Sequence, residues 1–66
     1  MHYSMVIQWS DEDQAYVVIF PEWDSIPKTH GDTYEAAAKN GKIALKQLIE
    51  SRKAHHQALP APRVYA

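Results

Sequence analysis

Six consecutive apolar residues, Ala15-Tyr16-Val17-Val18-Ile19-Phe20, constrain this chain more than any other feature. The run is rich in β-branched and aromatic side chains. It is bounded by Ser10-Asp11-Glu12-Asp13-Gln14 on one side and Pro21 on the other, which predicts a strand over 15–20 that needs cover on both faces. Tyr16, Val18 and Phe20 point to one side of it, Val17 and Ile19 to the other. Ahead of the run, polar and apolar residues alternate from His2 to Trp9. Tyr3, Met5, Ile7 and Trp9 share one face; His2, Ser4, Val6 and Gln8 share the other. The alternation predicts a half-buried strand over 2–9, joined to the second through a polar hairpin.

Pro21 and Pro27 limit the next element to a short edge strand over 26–30, because proline cannot donate to a ladder. Gly31 then precedes Asp32-Thr33-Tyr34-Glu35. Asp32 is placed to accept backbone N–H bonds of a first helical turn and Glu35 to reach back as its capping-box partner, so Gly31, Asp32 and Glu35 are read as the structural cap of a helix over 33–53. Tyr34, Ala37, Ala38, Gly41, Ala44, Leu45, Leu48 and Ile49 recur at helical spacing and form the stripe that lies on the sheet. A glycine inside that stripe costs about 1 kcal/mol against alanine, which makes sense if a bulky sheet residue, such as Trp9 or Phe20, needs the helix backbone close. After a helix end near Arg52 to His56, the stiff Leu59-Pro60-Ala61-Pro62 leaves Arg63-Val64-Tyr65 as a short last strand over 63–65. The expected fold class is α+β, one domain over 1–66: a three-stranded antiparallel sheet, one crossover helix and a short final strand.

One helix shields one face of a sheet. Val6, Val17 and Ile19 are therefore expected to form an apolar face left open, and Ile43 points away from the helix stripe. A 66-residue chain without cysteine has neither a large core nor a disulfide to compensate for it, so self-association through these four residues is expected. Seven basic against eight acidic residues, a formal charge of −1, supply no net drive toward a phosphate backbone. There is no long apolar run or basic leader, and the chain reads as cytoplasmic with no membrane segment.

The order of these elements, with Tyr3, Asp13-x-x-Tyr16, Phe20-Pro21, Thr29-x-Gly31-Asp32-Thr33-x-Glu35-Ala36-Ala37, then Asn40, Ala44, Leu45, Leu48 and Leu59-Pro60-x-Pro62, resembles the HicB-like antitoxin family of type II toxin–antitoxin systems. The resemblance spans nearly the whole chain. It implies a βββαβ arrangement like a cut-down ribonuclease H fold that does not use that enzyme's active site. It also implies a partner, a HicA-like toxin that cleaves RNA. Longer members carry a DNA-binding domain after this one, and the chain stops at Ala66, so direct operator binding is not expected. Members commonly have a glycine shortly after the helix; here the stretch is Ala54-His55-His56-Gln57.

The chemistry of the residues points the same way. Two-metal phosphoryl transfer needs carboxylates converging from strand interiors, whereas Asp11, Glu12, Asp13, Glu22 and Asp24 fall in turns and loops. His55 and His56 point about 100° apart on a helix and do not ligate one ion together. No catalytic residue, metal site or cofactor is expected. Asp11-Glu12-Asp13 is either a solvated turn or an acidic loop that complements a basic protein surface. Trp23, between Glu22 and Asp24, is either cover for the core or an interface anchor. These four are the candidate partner-binding residues of a non-enzymatic module that masks a toxin. The alternative is an orphan self-associating domain with a ligand-binding or scaffold role and no toxin.

Overall fold

The computed structural model describes residues 2–65. Among them, β1 (Val6–Ser10), β2 (Ala15–Ile19) and β3 (Thr29–Gly31) form an open antiparallel sheet in the order β1-β2-β3, and α1 (Tyr34–Ala54) packs on one face. The fold is α+β. The apolar run takes the centre because it alone has two apolar faces to bury. β1 pairs with it from Val6 opposite Ile19 to Ser10 opposite Ala15, and β3 pairs along its other edge, Tyr16 opposite Gly31 and Val18 opposite Thr29.

Alternation turns Tyr16, Val18 and Phe20 toward α1. Val18, Phe20 and Ala37 are fully buried, with Met5, Ile7, Tyr16, Trp23, Ala44, Leu45 and Leu48 packed around them. The helix approaches closely because its inner side is small at Ala37 and Gly41, both buried. A Cβ on Gly41 would lie 2.7 Å from Met5 Sδ and 3.1 Å from Val18 Cγ1. Met5 and Val18 are thus the residues that require the glycine, in place of Trp9 or Phe20. Gly31 is under a harder constraint, since a Cβ there would collide with the backbone of Ala36 and Ala37. No side-chain movement relieves a backbone clash.

The helix begins one residue later than the cap reading places it. Thr33 is the N-cap, extended at φ −131° and ψ 167°, and its Oγ1 accepts the Ala36 N–H at 3.0 Å. Asp32 lies one residue too early for that role. Glu35 falls at the second helical position, one short of the place from which a capping-box carboxylate reaches back. At the other end His56 takes the left-handed conformation, φ 55°. Its N–H donates to Lys53 C=O at 3.2 Å and the Gln57 N–H to Arg52 C=O at 2.8 Å, which is the Schellman closure. Glycine is the ordinary occupant of that position; a histidine there bears a strain of about 1–2 kcal/mol.

The strands differ from expectation at their ends. β1 starts at Val6 instead of residue 2, because the backbone before it bonds to a side chain (Glu22) rather than along a ladder. β3 covers 29–31 instead of 26–30: Asp24 Oδ1 accepts the Ile26 N–H at 2.9 Å and holds 24–28 as a loop, tied again by Lys28 Nζ to Asp24 Oδ2 at 2.8 Å. Arg63-Val64-Tyr65 forms no strand and is exposed. No helix among the described residues is long and apolar enough to cross a membrane. The cap assignment has a direct consequence. Thr33→Ala should lower stability by about 0.5–2 kcal/mol, whereas Asp32→Ala should stay within about 0.5 kcal/mol of the parent. Thermal melts of the two variants compare them, and equal losses would contradict the assignment.

Candidate functional site

The β1–β2 connection is a four-residue turn, Asp11 to Gln14, closed by the Ser10–Ala15 pair. Its chemistry is self-contained. Ser10 Oγ donates to Asp13 Oδ2 at 3.1 Å and accepts the Asp13 N–H at 3.2 Å, while Gln14, at φ 51°, donates from Nε2 to Asp11 C=O at 2.6 Å. The turn holds Asp11, Glu12 and Asp13 exposed at one end of the sheet. Asp11 also reaches back, its Oδ1 accepting the Trp9 Nε1–H at 2.7 Å. Trp9 is 49% exposed. It is the first ring of a row. Trp9 lies opposite Tyr16 in the ladder with ring centroids 5.1 Å apart, and Tyr16 lies 4.3 Å from Tyr34, which the start of α1 presents 59% exposed. Strand register sets the first contact, and the helix start sets the second.

Trp23 is not part of this surface. It is half-buried at the far end of β2, edge-on to Tyr3 at 4.7 Å and to Phe20 at 6.4 Å, with the Arg52 guanidinium 6.0 Å from its ring centroid. Its Nε1 is buried without a hydrogen-bond partner, so the ring is there to pack. The length of β2, about 13 Å at roughly 3.3 Å per residue, separates it from the acidic turn. Of the two readings of Trp23, core cover is the one the structure supports, and Trp9 is the exposed indole.

The self-association residues are also divided. Val6 and Ile19 are neighbours across strands on the face away from α1, but Val17 on that face is already buried within the chain at 8% exposure. Gln8 and His30 flank it in register, and Pro27 and Lys28 line the depression above it. Ile43, 52% exposed, stands on the helix. The open apolar face is therefore smaller than the strand pattern suggests.

Among the described residues Glu22 is the one buried acidic group, 9% exposed. Its carboxylate accepts the Ser4 N–H at 3.0–3.1 Å and the Arg63 N–H at 3.0 Å, clamping the segment before β1 to the C-terminal tail. Tyr3 Oη adds a bond to Pro60 C=O at 2.6 Å. Burial pushes the Glu22 carboxyl up, and the N–H donors of Arg63 and Ser4 more than offset it, so its pKa is held below the ordinary glutamate value. Among the described residues, no three His, Cys, Asp or Glu side chains group as metal ligands.

No family model matches the chain, and no curated protein and no solved structure matches it. The site is therefore carried by its geometry.

The residues missed as candidates are Trp9, Tyr16, Tyr34 and Glu22. The first two were within reach, since a hairpin closed at Ser10–Ala15 sets Trp9 opposite Tyr16. Glu22 gave no signal, its partners lying 18 and 41 residues away in the chain. Its lowered pKa makes the clamp pH-dependent. The stabilisation is present above the unfolded-state pKa and is lost as pH falls through the lower folded-state value. The amides of Ser4 and Arg63 should therefore lose exchange protection on acidification ahead of the β2 amides. Glu22→Gln should leave them weakly protected at neutral pH.

Proposed function

We propose that this chain is a HicB-like antitoxin module, a non-enzymatic cytoplasmic protein that binds a small, basic, RNA-cleaving HicA-type toxin and masks its working surface. In this reading the sheet and helix are a cut-down ribonuclease H arrangement used as a scaffold. The observation that carries the reading is the union, at one end of the sheet, of the exposed Asp11-Glu12-Asp13 turn with the Trp9–Tyr16–Tyr34 row, whose outer rings are exposed and whose middle ring is half-buried. Carboxylates steer a basic partner and repel nucleic acid, and aromatic rings supply the area that holds a partner once it has arrived. Charge along the chain supports the same direction of approach. Asp11, Glu12, Asp13, Glu22 and Asp24 all precede Lys28, which is the first of the seven basic residues.

Co-expression with the product of the adjacent gene tests the reading, with growth rescue and complex formation measured together. Replacing Asp11, Glu12 and Asp13 with Ser should slow association and flatten its salt dependence. Trp9→Ala should mainly speed dissociation, by about 2 kcal/mol if the indole is an anchor. A neighbouring product that neither arrests growth nor co-purifies removes the toxin from the proposal.

The second reading, an orphan self-associating domain, is favoured by one observation: Val6, 37% exposed, sits beside Ile19 on the sheet face that α1 leaves uncovered. It predicts a sedimentation mass at least twice 7.6 kDa at micromolar concentration, reduced to that of a single chain by Val6→Ser. A folded monomer on dilution would exclude it.

A further inference from the structure

We infer that the Trp9–Tyr16–Tyr34 row is an arginine-reading surface, which takes guanidinium side chains from a protein partner in preference to lysine. The inference rests on the partner-binding reading of this end of the sheet and names the chemical group recognised there.

Trp9 stands at 69° to Tyr16, and its Nε1–H donates to Asp11 Oδ1 at 2.7 Å. The bond ties the ring to the turn and leaves the second oxygen of that carboxylate, Oδ2, unused by it, beside an indole that is about half exposed. A hydrogen bond from the indole N–H to an anion also raises electron density in the ring, which strengthens its attraction for a cation. The arrangement of an aromatic face with a carboxylate at its rim suits one side chain best. A planar guanidinium stacks flat on the face and, in the same pose, donates in its own plane to the carboxylate. A lysine ammonium is a strongly hydrated point charge that gains one of these contacts at the expense of the other. Tyr34 adds a second exposed ring, tilted at 33° to Tyr16, and the carboxylates of Asp32 and Glu35 flank it in the chain, both exposed.

Among the described residues the chain's own cations leave the row open. Lys28, the basic residue nearest in sequence to the turn, is held by Asp24 at 2.8 Å. Among the described residues the one cation over a ring is Arg52, on Trp23 at the opposite end of β2. There the same pairing of guanidinium and indole is formed within the chain. A nucleic acid would also find rings to stack on, but it would bring phosphates against Asp11, Glu12 and Asp13, so an arginine-bearing protein segment is the occupant the charges favour.

Calorimetric titration of the full chain with two probe peptides of equal length and charge, one built on Arg-Gly repeats and one on Lys-Gly repeats, tests this. The arginine peptide should bind roughly tenfold or more tightly than its lysine counterpart, with quenching of indole fluorescence. Trp9→Leu and Tyr34→Ser should each bring the two affinities together, leaving weak, salt-sensitive binding. Tyr34→Ser alters an exposed position and keeps the test valid should Trp9→Leu fail to fold by circular dichroism. Equal affinities in the parent chain, a preference that survives both substitutions, or tighter binding of a single-stranded oligoribonucleotide would each overturn the inference. An arginine preference without a toxin in co-expression upholds the surface and removes the toxin; a toxin complex without the preference does the reverse.

Discussion

The close approach of α1 to β2 is the contact on which the rest of the structure depends. Val18 and Phe20 are fully buried only because Ala37 and Gly41 let the helix backbone come down onto them. Each buried side chain of this size is worth about 1.5–3 kcal/mol, a large share of stability in a chain whose core cluster has three fully buried members. The same approach explains Gly31. β3 must pass beneath the first helical turn to pair with β2, and the Ala36–Ala37 backbone occupies the space where a Cβ would stand. A larger residue at Gly41 would displace the flexible Met5, whereas one at Gly31 would have to move the helix itself. Of the chain's two glycines, Gly31 is therefore the less replaceable.

This packing also creates the aromatic row. With the helix start fixed above β3, Tyr34 has Tyr16 beneath it, and Tyr16 is tied to Trp9 by strand register. Tyr16, the middle ring, packs against the Val18–Phe20–Ala37 core, while Trp9 and Tyr34 stand about half exposed on either side of it. The other end of β2 is treated oppositely. Tyr3, Phe20, Trp23 and Arg52 gather there, and Glu22 binds both chain ends across them. One end of the sheet is sealed by its own termini and the other presents rings and carboxylates.

Local patterns carried most of this architecture. The apolar run read as a strand that needs cover on both faces, and in the sheet it takes the centre. The helix stripe read correctly at Ala37, Gly41, Ala44, Leu45 and Leu48, because 3.6-residue spacing survives even when much of the stripe is alanine and glycine, whereas Tyr34 at its start stands exposed. What failed to show were features decided by one residue of register or by distant partners. Asp32 and Thr33 are both good caps, and the choice between them depends on where the Ala36 N–H falls. Trp23 sits among polar neighbours in sequence yet packs inward, because the turn after Phe20, held by the Trp23 and Asp24 N–H groups donating to Phe20 C=O at 2.9 and 3.2 Å, folds it back over the core. The stretch 2–5 alternates like a strand, but its backbone is bonded by the Glu22 carboxylate, and 63–65 meets the same side chain instead of an edge. The site was half legible for this reason: its acids lie in a local turn, but its exposed rings are joined by tertiary contacts.

Two of the surfaces exposed among the described residues differ in physical character, and the difference separates the uses proposed for them. The sheet face with Val6 and Ile19 offers a small apolar contact without charged neighbours in register, Val17 between them and the turn being already covered. Such a face adds area but discriminates poorly, since apolar burial is non-directional. In the proposed reading the hairpin end discriminates by sign of charge, through Asp11, Glu12 and Asp13, and by shape of cation, through Trp9 and the carboxylate it binds. A wrong partner there meets an unpaired charge, which costs more than a missing contact. Under the proposed reading, recognition of a specific protein is assigned to the hairpin end, and association of like chains to the uncovered sheet face. The two can operate together, because they lie on different sides of β2.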